Sequence, residues 1–199
     1  MNTSHVKEEK VQLKTGYTTG SSATAASKAA LLSIINQKKI EKIDILLPKR
    51  SYIQIPIHSC KFEIDGANCS VIKNGGDDPD VTHGAEIIVE LSFTEKINEI
   101  EIDGGEGVGI VTKPGLGLEI NKPAINPVPK KMIIENLREI GKEILLEKGI
   151  KLVISVPKGK ELGPKTDNPR LGIINGISIL GTSGIVIPFS TAAYAASIR

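Results

Sequence analysis

The 199-residue chain contains no tryptophan, and its three tyrosines and three phenylalanines make up only 3 % of it. Proteins that grip single-stranded nucleic acid stack bases on aromatic rings, so that class is disfavoured. Two cysteines, Cys60 and Cys69, are too few for a disulfide framework or for a zinc site of the usual spacing. A net charge of +2 sets up no field that argues for nucleic acid or for a membrane surface. Long apolar runs are missing as well, and the opening MNTSHVKEEK lacks the apolar centre of a signal peptide. These absences point to a reduced, cytoplasmic location with no nucleic-acid or membrane partner. A chain of this length is long enough to bury a real core.

What the chain does have is an unusual polar loop. KNGGDDPDVTHGAEIIVE, residues 73–90, opens on Gly75 and Gly76 and then places Asp77, Asp78 and Asp80 within four positions. Pro79 fixes its own φ and pushes Asp78 into an extended shape, so the acidic run is not helical. Thr82, His83 and Gly84 follow, and Glu86 leads into the β-type run Ile87, Ile88, Val89. A solvated turn is the plain reading of such a loop. The other reading is a site, because imidazole titrates nearest neutral pH and Asp80 stands three residues before His83.

In chain order, residues 1–12 are charged and patternless, a frayed tail. LKTGYTTGSSATAASKAALLSIINQKK then runs from clustered hydroxyls at Thr15, Thr18, Thr19, Ser21 and Ser22 into a helix from about Ser21 to Asn36. A helix start of this kind is either an anion seat or ordinary capping. Strands are expected at 42–47 paired with 52–57, then at 61–64, 69–73 and 97–102, as a meander. DGGEGVGIVTKPGLG carries Asp103, Gly105, Gly107 and Gly109, an acidic-x-Gly-x-Gly-x-Gly spacing seen in Rossmann-type methyltransferases. That motif needs a helix after the glycines, and here β-type residues and Pro114 follow, so a glycine-rich hairpin against a ligand remains. A helix beginning around Pro127 and Pro129 carries Ile133, Leu137, Ile140 and Ile144 on one face and is closed by Gly149. Residues 151–156 form a buried strand. After a polar loop come an apolar run, 176–187, and a helix capped by Ser190, which ends after about two turns and makes the chain look cut short.

Five stretches in this order resemble the cobalt-precorrin-5B C1-methyltransferase family of anaerobic cobalamin synthesis. They are LKTGYTTGSSATAASKAA, VIKNGGDDPDVTHGAEI, GGEGVGIVTKPGL, PAINPVPKKMI and NPRLGI-x-x-GISILGTSGIV-x-P-x-S. The resemblance runs from about Leu13 to the end. It implies transfer of a methyl group from S-adenosylmethionine to C1 of a cobalt-bearing corrinoid, an in-line displacement that depends on positioning the two reactants. It also implies an α/β (α+β) fold, with a two-layer sandwich over residues 13–170 and the beginning of a Rossmann-like domain at 171–199. The chain departs from the family at Ser22, where Cys is usual, and at Gly163 and Pro164. Family members also continue well past Arg199.

On this resemblance His83 is expected to act as a general base, oriented by Asp80. Thr18, Thr19, Ser21, Ser22, Asp77, Asp78, Lys113 and Arg170 are expected to meet the substrate, whose many carboxylate arms call for spread donors. Gly105, Glu106, Gly107 and Gly109 are the expected seat of S-adenosylmethionine. The loop 75–86, the glycines 104–109 and the helix start should lie on one side of the sheet. The isolated chain is expected to leave Ile177, Ile179, Ile185, Val186 and Ile187 facing water or a partner. It would then be poorly soluble, form a homodimer through that segment, or need a complementing C-terminal fragment. Two other readings stay open: a corrinoid-binding fragment without catalysis, and a kinase of the galactokinase and homoserine-kinase type, suggested by YTTGSSATAA.

Overall fold

The computed structural model describes residues 13–188. The chain enters through a two-residue strand, β1 (Gly16–Tyr17), and turns directly into α1 (Thr19–Asn36). Thr18 is the N-cap of α1, its Oγ1 accepting from the Ser21 amide at 3.1 Å. The alanines that follow are all fully buried. Small side chains at these positions let α1 lie close against its neighbours, which is why a helix with so little amphipathic contrast still forms.

The strands β2 (Lys42–Leu46), β3 (Tyr52–Pro56), β4 (Ser59–Phe62), β5 (Gly66–Ile72), β6 (Glu86–Thr94) and β7 (Ile100–Gly104) keep the expected meander only as the pair β2–β3 and the run β4–β5–β6, because β7 does not pair with β6. After the short β8 (Ile110–Val111) come α2 (Pro127–Ile140), α3 (Lys142–Leu145) and β9 (Gly149–Ser155). β2 and β3 form their own hairpin, while the main sheet has the order β4-β5-β6-β9-β7. All its pairings are antiparallel except β7 with β9. Period-2 alternation sends Ala67, Cys69, Val71, Ile87, Val89, Leu91, Ile150, Leu152 and Ile154 inward to one core with the helices. The outcome is the mixed α/β fold expected.

Two helix-end expectations change. Gly141, not Gly149, interrupts the helix, and a Cβ there would lie 2.8 Å from Leu31 Cδ2 of α1. Gly149 instead begins β9, where a Cβ would overlap the Lys96 carbonyl. Both glycines stand where another backbone or helix comes close, which a single helix pattern does not reveal. The cysteines also differ from expectation. Cys60 and Cys69 are register partners on β4 and β5 and are joined as a disulfide, a pairing that a count of cysteines without their register could not anticipate.

The last described stretch folds back onto what precedes it. After the short α4 (Gly159–Leu162) and a 3-10 turn, β10 (Ile173–Ile174) pairs antiparallel with β8, and β11 (Ile185–Val186) pairs antiparallel with β1. Between them, Ile177 bridges Val108 and Ile179 bridges Ile125. Ile177 and Ile179 are 1 % and 0 % exposed within this chain alone, so the expectation that they face water or a partner is wrong. Their partners come from earlier in the chain. Ile185 and Val186 are half-buried and Ile187 is 70 % exposed. The expected helix from Ser190 lies outside the described residues. Among those residues, no helix is long and apolar enough to cross a membrane.

Candidate functional site

The loop between β5 and β6 is closed at its base by two backbone hydrogen bonds, Lys73 N–H to Ala85 O and Gly84 N–H to Lys73 O, each 2.8 Å. Within it Asp80 is the hub. Its Oδ1 accepts from the Thr82 amide at 2.7 Å and from Thr82 Oγ1 at 2.6 Å, and its Oδ2 accepts from Lys73 Nζ. Burial pushes the Asp80 carboxyl up, but the Lys73 and Thr82 donors together outweigh it and hold the group below the ordinary carboxylate range. Lys73 is 2 % exposed.

The other loop residues point elsewhere. His83 is exposed, and its Nδ1 accepts from the Gly75 amide at 3.1 Å. In neutral His83 the proton therefore sits on Nε2, which makes the ring a donor toward solvent. The Asp80 carboxylate, which accepts from Thr82 and Lys73, makes no hydrogen bond to the His83 ring; the Gly75 amide is the ring's partner among the described residues. Asp77 is exposed and binds the entering chain: its Oδ2 accepts from the Lys14 amide at 2.6 Å, and its own amide donates to Lys14 O at 3.0 Å. Asp78 is half-buried and its carbonyl accepts from the Asp80 amide at 2.8 Å.

A cleft of ≈330 Å³ opens beside Lys73, Asp80 and Thr82. Its other walls are Thr18 and Thr19 at the start of α1, and the returning segment that includes Asn168, Ile177, Ser178 and Leu180. Hollows of ≈490 and ≈550 Å³ lie over the β4–β5–β6 edge and beside Glu101 and Lys122. Neither is lined by a buried charged residue, so the smaller cleft is the better candidate.

The hydroxyls at the start of α1 are occupied by protein. Thr19 Oγ1 donates to Ser178 O at 3.1 Å and accepts from the Leu180 amide at 2.9 Å. Ser21 Oγ donates to Gly184 O at 2.7 Å, Ser22 Oγ to Thr18 O at 3.0 Å, and the Gly20 amide to Leu180 O at 2.9 Å. Ser21 and Ser22 are fully buried. The helix end that the sequence offered as an anion seat is thus filled by carbonyls of residues 178–184, which supply partners the buried donors would otherwise lack.

The glycine segment is explained by packing. The Gly105 amide donates to Ile154 O at 2.7 Å and the Gly109 amide to Ile177 O at 2.8 Å. A Cβ on Gly105 would overlap Ser155 Oγ, on Gly107 the Val156 carbonyl, and on Gly109 the Ile173 side chain. Glu106 is exposed and paired with Lys160 at 3.3 Å. These glycines admit neighbouring protein backbone and do not fit a cradle for a methyl donor. None of them lines the cleft, whereas Thr18 and Thr19 of the helix start and Asp80 and Thr82 of the 75–86 loop line it together. Lys113 is exposed beside Gly172. Arg170 is exposed at the rim, 3.8 Å from Asp167, which lines the cleft.

The family model CbiD matches residues 6–188. The chain belongs to the CbiD family. It is 51 % identical over 193 residues to the cobalt-precorrin-5B C(1)-methyltransferase of Priestia megaterium, covering 97 % of this chain and 52 % of that protein. It is 53 % identical over 191 residues to the protein of the same name from Geobacillus kaustophilus, covering 96 % of this chain and 51 % of that protein. The crystal structure of the cobalamin biosynthesis protein CbiD from Archaeoglobus fulgidus superimposes with a TM-score of 0.69 at 33 % identity, covering 94 % of this chain and 58 % of that one. The chain spans about half the length of the curated relatives it matches.

Within this CbiD chain, sequence reasoning missed Lys73, Thr82, Asn168 and Ser178. Lys73 had a legible signal: it continues the inward parity of Ala67, Cys69 and Val71, all of them buried. Asn168 and Ser178 had none. Ser178 Oγ donates to Asn168 Oδ1 at 2.7 Å, and Asn168 Nδ2 donates to Gly176 O at 3.2 Å, contacts that exist only once the segment has turned back.

Proposed function

We propose that this chain acts in the methylation of cobalt-precorrin-5B at C1, with S-adenosylmethionine as donor, and that it supplies the corrinoid-holding side of the site. The observation that supports this most is the 51–53 % identity to proteins named for that reaction, over the same residues that build the cleft. A cleft of ≈330 Å³ is too small for a whole macrocycle, so the ring lies across its mouth with an edge inside. The exposed His83, Lys113 and Arg170 are then donors for carboxylates at the periphery of the ring. When bound, S-adenosylmethionine supplies an electrophilic methyl group. Its seat is assigned outside residues 104–109, because protein already fills the space around those glycines.

A second reading, a fragment that binds the corrinoid and does no chemistry, is favoured by the half-length match together with that unsuitable glycine segment. The kinase reading loses its support, since the α1 start that suggested it is occupied by the Leu180 and Gly184 carbonyls. Titrating the chain with cobalt-precorrin-5B, followed through the corrinoid absorption, tests the binding side. Adding methyl-labelled S-adenosylmethionine, with and without the second half of the Priestia megaterium relative, tests the transfer. The expected result is a spectral change with the chain alone and label on C1 once the second half is present. Absence of both sinks the reading.

A further inference from the structure

We propose that Lys73 anchors an aliphatic carboxylate arm of the ligand inside the cleft. This rests on the corrinoid reading above for the identity of the ligand, and on the side-chain geometry for the site itself. Among the described residues two lysines are almost completely buried, and they are buried differently. Lys28, 5 % exposed, has three acceptors on its Nζ: Asp44 O at 2.9 Å, Glu139 Oε2 at 2.7 Å and Asn136 Oδ1 at 3.4 Å. An ammonium has three protons, so Lys28 is satisfied by protein. Lys73 is more deeply buried, at 2 %, yet among the described residues its only acceptor is Asp80 Oδ2. Two of its N–H groups are left over, and Lys73 lines the cleft.

Leaving charged donors unmatched away from water is costly, so an acceptor that enters the cleft gains a strong, charge-assisted partner. The cleft also defines the shape of that acceptor. Ile177, Leu180, Val186 and Leu171 give it apolar walls. A short methylene chain fits those walls, and a carboxylate at its end meets Lys73. The negative charge of Asp80 does not exclude a second carboxylate, because Asp80 already accepts two hydrogen bonds from Thr82 besides the one from Lys73. Thr82 thus holds Asp80, and Asp80 fixes the direction of the ammonium. Lys73 and Asp80 are binding and positioning groups respectively.

The test uses the 199-residue chain labelled with ¹⁵N-lysine, and probes Lys73 with propionate and with uncharged propionamide. Propionate is expected to shift the Lys73 Nζ resonance, assigned through its loss in Lys73→Arg, and propionamide is expected to leave it in place. In parallel, the chain is titrated with cobalt-precorrin-5B and with a corrinoid whose arms are amidated. The wild type and Lys73→Arg should favour the carboxylate form, and Lys73→Met should show that preference reduced on the order of ten-fold, the remainder coming from the exposed donors at the rim. If Lys73→Met does not fold, the propionate experiment and Lys73→Arg still decide. No response to propionate, or a carboxylate preference undiminished in Lys73→Met, overturns the proposal. A propionate response without binding of either corrinoid keeps the Lys73 anion site and removes the corrinoid reading instead.

Discussion

The Lys73 ammonium, 2 % exposed, sits on the carboxylate of Asp80, seven residues further along the chain. Lys73 leaves β5 and Asp80 stands in the turn that follows, so the pair ties the loop to the sheet at the edge of the cleft. Breaking such a pair from one side leaves the other charge without its partner. Asp80→Asn is expected to lower stability by about 1–3 kcal/mol, measured by urea unfolding at pH 7.

The same residue sets a pH dependence. The folded-state pKa of Asp80 is depressed, so its contribution is fully present above the unfolded-state value and is lost as pH falls through the folded one. The wild-type unfolding midpoint should therefore drop as pH falls below the ordinary aspartate value of about 4, and Asp80→Asn should show a shallower drop. Parallel curves for the two proteins would mean that Asp80 is not depressed in the folded state.

Gly107 and Gly115 both have positive φ, +71° and +112°, but only Gly107 is packed against protein. Gly115→Ala carries only the backbone strain of about 1–3 kcal/mol. Gly107→Ala adds an overlap with the Val156 carbonyl and should be clearly more destabilising, to the point of poor recovery of folded protein. Equal thermal shifts in the two variants would instead leave room at Gly107 for a bound ligand.

Ile177 and Ile187 separate the buried and exposed parts of the returning segment. Ile177→Ala should cost about 2–5 kcal/mol, as for other buried large-to-small changes. Ile187→Ala, at a site 70 % exposed, should stay within about 0.5 kcal/mol. Thermal melts of both variants check this.

His83→Ala removes the acceptor of the Gly75 amide. It should loosen the loop by about 1 kcal/mol and change methyl transfer by only a few-fold when made in a full-length relative. A loss on the order of 10²-fold would instead mark His83 as a general base.

Local chemistry determined much of this protein. Alternation placed β2, β3, β5 and β6 close to where they lie, because strand parity depends only on neighbouring residues. The hydroxyls and alanines around Thr18 announced α1, and the same alternation, carried one step past Val71, pointed Lys73 inward. Five motifs in register were enough to indicate the family. What the sequence left undecided were partners far apart in the chain. Ser21 meets Gly184 across 163 residues and Thr19 meets Ser178 across 159, and those contacts turn an apparent anion seat into a closed helix end. The glycines 105–109 resembled a ligand cradle until the backbones of Val156 and Gly176 were seen to fill the space beside them. Propensity and periodicity act over a turn or a strand, whereas the choice of partner for a buried polar group is made only when distant segments pack.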